Sequence, residues 1–288
     1  MTSAVTGAQA LLAATRALAA AGIPDPGRDA RRLFSHAVGI EPGRLTLILP
    51  DPLDTAAQMI FDALIARRLT REPVSHLTGT RAFYGRDFKV NEAVLDPRPE
   101  TETLIEAALS LPFKRVLDLG TGSGCILLTL LAETPGSTGL GIDISAAACE
   151  VAARNAKTLG LTQRAQFQLG NWHDGPLGEF DLIVANPPYI ALSEMDHLAP
   201  EVRVWEPRVA LTDEGDGLGA YRAILKGITK HMVDGARLIM EIGPSQTEEV
   251  SVLVLTAGFA AVDVIQDLDG RDRIVMAIHA TPEAEIPF

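Results

Sequence analysis

The stretch Asp118-Leu119-Gly120-Thr121-Gly122-Ser123-Gly124 limits what this chain can be more than any other. It continues Val116-Leu117, whose apolar character marks a buried strand, and it opens a helical pattern running through Leu131. Glycines at such a junction let the backbone turn tightly and approach a ligand closely, and the helix behind them offers free N–H groups. The same alternation continues to the C-terminal end. Strands are expected at 139–142, 166–169, 180–184 and 237–241, and helices at 145–159, 218–232 and 246–255. Two last strands flank Asp269-Gly270. Repeated strand and helix implies a parallel sheet covered on both faces, and the closing pair adds one antiparallel edge strand.

The N-terminal part has a different texture. A helix over 8–21 stops at Gly22 and Pro24, and Asp25-Pro26 starts a second containing Ala30, Leu33, Phe34 and Val38. A third follows Asp51-Pro52, with Met59, Ile60, Leu64 and Leu69 on helical spacing, and the small bundle ends near Pro73. Phe83 to Val90 reads as a hairpin with Gly85 in its turn, and Pro97-Arg98-Pro99 ends it. Glu100 and Glu102 stand in the first turn of a helix over 100–109, where the dipole favours acids. With 288 residues the chain is long enough for two domains. The reading is a helical domain over 1–80, a hairpin linker over 81–98 and an α/β domain over 99–288.

The glycine loop selects among ligands. Dinucleotide sites space their glycines G-x-G-x-x-G, whereas this loop is G-x-G-x-G, and it lacks the lysine of a phosphate-binding P-loop. With the leading Asp118 it matches the usual first motif of class I methyltransferases, which bind S-adenosyl-L-methionine. Asp143 ends the second strand, where a carboxylate can accept hydrogen bonds from both ribose hydroxyls of an adenosine ligand. Ser145 is free to cap the following helix. After the third strand, Trp172 stands where it can frame or pack against the adenine.

The fourth strand runs into Asn186-Pro187-Pro188-Tyr189. Two prolines remove two N–H donors and stiffen the turn. Asn186 presents a side-chain amide, nearby carbonyls are left free as acceptors, and Tyr189 offers a flat face. Such a set suits an NH2 group on a planar π system, a poor nucleophile that acceptors must orient before it can meet a methyl group in line. Adenine N6, cytosine N4, guanine N2 and glutamine amides all qualify at this point.

Composition narrows the field. A formal net charge of −12 opposes bare phosphate backbones, so no nucleic-acid partner is expected. The two cysteines, Cys125 and Cys149, are read as packing residues of a reducing cytosol. His76, His173 and His197 lack the spacing of metal ligands, and no metal is expected. No signal peptide or membrane-length apolar run is apparent, so a cytoplasmic protein is expected. Glu206, ahead of Pro207, is a candidate to support the substrate loop.

Taken together, the motifs resemble one family across nearly the whole chain. Pro73-Val74 through Leu77-Thr78-Gly79, Phe83-Tyr84-Gly85, Phe88-Lys89-Val90 and Leu95-Asp96-Pro97-Arg98-Pro99-Glu100-Thr101-Glu102 come first. Asn186 to Ile190, Glu206-Pro207-Arg208-Val209-Ala210-Leu211 and Asp216-Gly217-Leu218 follow. Glu241-Ile242-Gly243 with Gln246, and Asp267-Leu268 with Gly270 and Arg273, complete the order. The chain resembles the HemK/PrmC protein-(glutamine-N5) methyltransferases of peptide chain release factors. The resemblance implies a Rossmann-like methyltransferase domain, with an N-terminal helical domain that helps recognise the factor. It implies methylation of the glutamine in the factor's Gly-Gly-Gln loop, with S-adenosyl-L-homocysteine as product; a monomer is expected. Gly120, Thr121, Gly122, Ser123, Gly124, Asp143, Trp172 and Asn186 would bind the cofactor, and Asn186, Pro187, Pro188 and Tyr189 the glutamine. Family members commonly have an aliphatic residue where Asp96 stands, and an aromatic near His76. The rival readings are a nucleic-acid exocyclic-amine methyltransferase, acting on adenine N6 or guanine N2, a non-catalytic cofactor-binding regulator, and a nicotinamide oxidoreductase.

Overall fold

The computed structural model describes residues 5–175 and 177–280. The chain divides into two compact units after Thr80, and the segment Ala199–Trp205 belongs to the first.

The first unit is helical. α1 (Gly7–Ala20) begins in a capping box, in which Thr6 Oγ1 accepts from the Gln9 amide and Gln9 Oε1 from the Thr6 amide. α2 (Pro26–Val38) opens on a proline, whose missing N–H has no partner in a first turn anyway. α3 (Thr55–Leu69) starts at Asp54, whose carboxylate accepts from the amides of Ala56 and Ala57. α4 (Val74–Thr78) follows after a short turn.

The inward face of α3 is not the one expected from its apolar residues. Phe61, Leu64 and Ile65 are buried, whereas Met59, Ile60 and Leu69 are exposed. The cause is Arg68, which takes a buried place on that face because acids meet it there. Its guanidinium donates to Asp29 at 2.8 Å and to Glu201 at 3.1 Å. Glu201 lies on the short helix Pro200–Trp205, α8 in chain order. In the core of the same unit Phe34 meets Phe61 edge-on, with centroids 5.2 Å apart. Phe34 is fully buried, so Phe34→Ala is expected to cost about 3–5 kcal/mol. A lower urea midpoint for unfolding of the helical unit, followed by circular dichroism, is the check.

A hairpin of β1 (Thr80–Phe83) and β2 (Arg86–Lys89) leads into the second unit. Its turn residues Tyr84 and Gly85 have φ of 46° and 71°, as a tight mirror-image turn requires. The Glu102 carboxylate accepts from the Tyr84 amide at 2.8 Å, tying that turn to α5 (Glu102–Leu109).

A seven-stranded sheet follows. In chain order it contains β3 (Arg115–Leu119), β4 (Thr138–Asp143), β5 (Ala165–Leu169), β6 (Phe180–Ala185), β7 (Met232–Glu241), β8 (Asp263–Gln266) and β9 (Asp272–Ile278). The spatial order is β5-β4-β3-β6-β7-β9-β8. The first five strands are parallel, and β9 runs antiparallel between β7 and β8. Val116, Leu182, Val184 and Ile239 pack on one face with α6 (Cys125–Glu133). Leu117, Ile183, Leu238 and Met240 pack on the other with α9 (Gly219–Leu225) and α10 (Thr247–Thr256). The sheet is therefore buried on both sides, which explains its near-continuous apolar strands.

One expected element is divided. The helix expected over 218–232 ends at Leu225, because Gly227, at φ 85°, turns the chain out of it. A single 3-10 turn, Ile228–His231, follows, and Met232 already starts β7.

Candidate active site

Strand order reverses between β3 and β6, since the chain moves outward through β4 and β5 before returning to the other side of β3. Loops leaving the carboxyl ends of β3 and β6 diverge there and leave a crevice. The crevice is a cavity of about 650 Å³ within the second unit, lined by the loops after β3, β4, β5 and β6.

The loop after β3 packs against β4. Gly122 lies at φ 54°, and its amide donates to Asp143 Oδ2 at 2.9 Å. Asp143 Oδ1 accepts from the Ser145 amide at 2.9 Å, while Ser145 Oγ accepts from Ala148 and caps α7 (Ala146–Thr158). The Asp143 carboxylate is thus fixed at the cavity wall with lone pairs to spare. Burial pushes its pKa up, against the backbone N–H groups that favour its charge. The loop can lie so close because β4 has glycine at position 141, where a Cβ would come within 2.7 Å of Thr121 Oγ1. That hydroxyl donates to Asp118 at 2.6 Å, and burial lifts Asp118 to about 7.

Of the residues singled out from the sequence, Gly120, Thr121, Gly122, Ser123, Asp143, Trp172, Asn186 and Pro188 line the cavity. Gly124 does not, and serves as N-cap of α6 at φ 78°. Trp172, itself at φ 50°, lies against the Gly120 turn. Pro187 and Tyr189 also lie off the cavity wall. Tyr189 sits behind it, with its carbonyl accepting from Gln246 Nε2 at 2.9 Å, and burial with Glu241 nearby pushes its phenol up to about 12. Cys125 does line the cavity; burial raises its thiol to about 12.

Asn186 Nδ2 donates to Thr101 Oγ1 at 3.2 Å, and Thr101 donates to Glu241 at 2.7 Å. Burial raises Glu241 to about 7. Glu206 is also buried and lifted to about 7, although Arg98 donates to both its oxygens at 2.6 and 2.7 Å. Arg98 and Pro207 line the cavity; Glu100, Glu102 and Glu206 do not. His197 is exposed, and His173 is buried with Nε2 2.9 Å from the Ile224 carbonyl. Among the described residues, no three His, Cys, Asp or Glu side chains are grouped as metal ligands.

Sequence reasoning passed over Asp213. Its carboxylate accepts from the amides of Gly215, Gly217 and Gly219 at 2.8, 3.0 and 2.6 Å, folding the loop behind Tyr189. The signal was present: an aspartate followed by glycine at every second position is a strong Asx-turn pattern.

The cavity fits an adenosine-bearing sulfonium cofactor. A fixed carboxylate faces it from Asp143, Trp172 and Ile144 give apolar surface for a flat base, and the turn at Gly120 and Gly122 brings backbone to its wall. Fold and cavity together define an S-adenosyl-L-methionine-dependent, Rossmann-like methyltransferase. Comparison with known proteins refines this. The family model of the PrmC N-terminal domain matches residues 9–79, and that of a methyltransferase domain matches residues 112–241. A release factor glutamine methyltransferase of Cereibacter sphaeroides is 55% identical over 94% of this chain and 97% of its own length. Another, from Rhodospirillum rubrum, is 43% identical over 90% of this chain and 81% of its own. A solved methyltransferase from Pyrococcus furiosus shares the fold, with a TM-score of 0.53 at 14% identity over 75% of this chain and 98% of that one. The chain belongs to the release factor glutamine methyltransferase family.

Proposed function

We propose that the chain transfers the methyl group of S-adenosyl-L-methionine to the side-chain amide nitrogen of the glutamine in the Gly-Gly-Gln motif of peptide chain release factors, and so modulates translation termination. The observation that carries this reading is Asn186 on the cavity wall, its amide nitrogen already engaged by Thr101 and its amide oxygen left to accept from a ligand. The extent of the family relationship supports the choice of glutamine over a base.

When bound, the cofactor supplies an electrophilic methyl on a sulfonium, with S-adenosyl-L-homocysteine as product. The Gly120–Gly124 loop and Trp172 would hold it, with Asp143 on its ribose hydroxyls. Asn186 Oδ1 and the carbonyls freed by Pro187 and Pro188 would accept the two protons of the substrate amide. That grip turns the nitrogen and withdraws its lone pair from conjugation as the new bond to carbon forms. The nitrogen then releases one proton to solvent, so no strong base is needed. Tyr189, packed behind the wall, stiffens this turn. The N-terminal helical unit serves factor recognition, and the protein works as a cytoplasmic monomer. No helix among the described residues is long and apolar enough to cross a membrane.

The test is incubation with methyl-labelled cofactor and purified release factor, beside unmethylated DNA and ribosomal RNA. Label is expected on the wild-type factor and on none whose Gly-Gly-Gln glutamine is replaced by alanine. Label on nucleic acid alone would replace the glutamine reading with that of an exocyclic-amine enzyme.

A further inference from the structure

An asparagine amide can face a ligand with either its oxygen or its NH2, and only the oxygen suits a substrate that brings N–H donors. Something must choose between the two. In this chain three residues distant in sequence meet at that side chain. Thr101, 2% exposed, precedes α5; Asn186 follows β6; and Glu241, 1% exposed, ends β7.

The chemistry of the three groups fixes a direction. Above its raised pKa Glu241 is a carboxylate that only accepts, so the single hydroxyl proton of Thr101 then goes to Glu241, 2.7 Å away. The Thr101 oxygen is then left as an acceptor. The part of Asn186 that can satisfy it is Nδ2, which lies 3.2 Å from it. Oδ1 is consequently the atom left for a ligand. Glu241 is itself held, since its backbone carbonyl accepts from the Tyr221 hydroxyl at 2.9 Å. A carboxylate this deep in the fold is costly unless it is hydrogen-bonded, and the Thr101 hydroxyl supplies such a bond.

We infer that Glu241 and Thr101 are positioning residues, which set the Asn186 side chain with its amide nitrogen inward and its oxygen toward the substrate amide. This rests on the methyl-transfer reading above. Neither residue acts on the reacting atoms; each works through Asn186.

Thr101→Val keeps shape and removes the hydroxyl, and Thr101→Ser keeps the hydroxyl. Single-turnover methyl transfer to the release factor, at saturating cofactor, is expected to slow about 30-fold in Thr101→Val, because a misplaced orienting group typically costs that order. Thr101→Ser restores most of the rate. Affinity for S-adenosyl-L-homocysteine, by calorimetry, stays within about threefold, since valine keeps the shape of Thr101 at the cavity wall and the Asp143 side of the cavity is untouched. Glu241→Gln slows transfer in the same sense, because an amide at that position can also donate and no longer dictates where the Thr101 proton goes. In an Asn186→Ala background, Thr101→Val produces no further loss, whereas a general packing role would slow both backgrounds equally. An equal loss in the two backgrounds, or an undiminished rate in Thr101→Val, overturns the assignment. A second measurement does not depend on turnover. The Asn186 side-chain NH2 resonance, assigned by its absence in Asn186→Ala, is expected to exchange slowly in wild type and rapidly in Thr101→Val. Rapid exchange in wild type overturns the inference. If wild type labels no release factor, the functional reading fails, and the resonance alone decides the positioning role.

Discussion

Asn186→Ala is expected to reduce kcat for methyl transfer to release factor by about 100- to 1,000-fold, the usual loss when one preorganised hydrogen-bonding group is removed from a reacting centre. Cofactor affinity should weaken by less than about tenfold, because the Asp143 side of the cavity is untouched. The asymmetry follows from position. Asn186 stands at the carboxyl end of β6, on the far side of the strand-order reversal from β4 and Asp143. Its side chain is gripped by Thr101 rather than by the glycine loop. Rapid-quench kinetics on the factor and calorimetry with S-adenosyl-L-homocysteine separate the two effects. A variant that binds cofactor poorly yet transfers at the wild-type rate when saturated would move Asn186 from the substrate to the cofactor. Asn186→Asp sharpens the test. A carboxylate cannot donate to Thr101 and would sit near the Glu241 carboxylate, so the variant is expected to be nearly as slow as alanine although it is close in shape.

Much of this site is readable from sequence because its parts lie at the ends of strands. Asp118, the Gly120–Gly124 loop, Asp143 and Asn186 each follow an apolar run that announces a buried strand, and a parallel sheet brings such ends together at one edge. Residues that meet only through the fold stay hidden. Thr101 and Glu241 are separated by 140 positions, and no local pattern links them. Arg68 in α3 is hidden in the same way. Its partners Asp29 and Glu201 lie 39 and 133 positions away, so nothing near it in sequence marks this arginine as buried. The boundary between α9 and β7 was obscured for a different reason. Tyr221, Ile224, Leu225, Ile228 and Met232 keep helical spacing through the junction, since each is buried on the same side of the sheet, first from a helix, then a turn, then a strand. Gly227 was the only local mark of the break.

Asp143→Ala is expected to weaken S-adenosyl-L-homocysteine binding by on the order of 100-fold, since each hydrogen bond to a charged group contributes about 1.5–3 kcal/mol. Two losses combine in this change. The ribose hydroxyls would lose their acceptor, and the Gly122 and Ser145 amides would lose theirs. An analogue that lacks the ribose hydroxyls tells the two apart. If Asp143 acts on the ribose, wild type binds the analogue weakly and Asp143→Ala costs that analogue much less than it costs the parent compound. If the carboxylate serves only to shape the loop, the variant loses the same factor with either ligand. Thermal stability without ligand adds a sign. Burial raises the Asp143 pKa, so its charge opposes folding at neutral pH, while its two backbone partners favour it. The melting temperature of the ligand-free variant is therefore expected to stay close to that of wild type, while the rise in melting temperature produced by ligand largely disappears. A variant that keeps the ligand-induced rise would remove Asp143 from the cofactor site altogether.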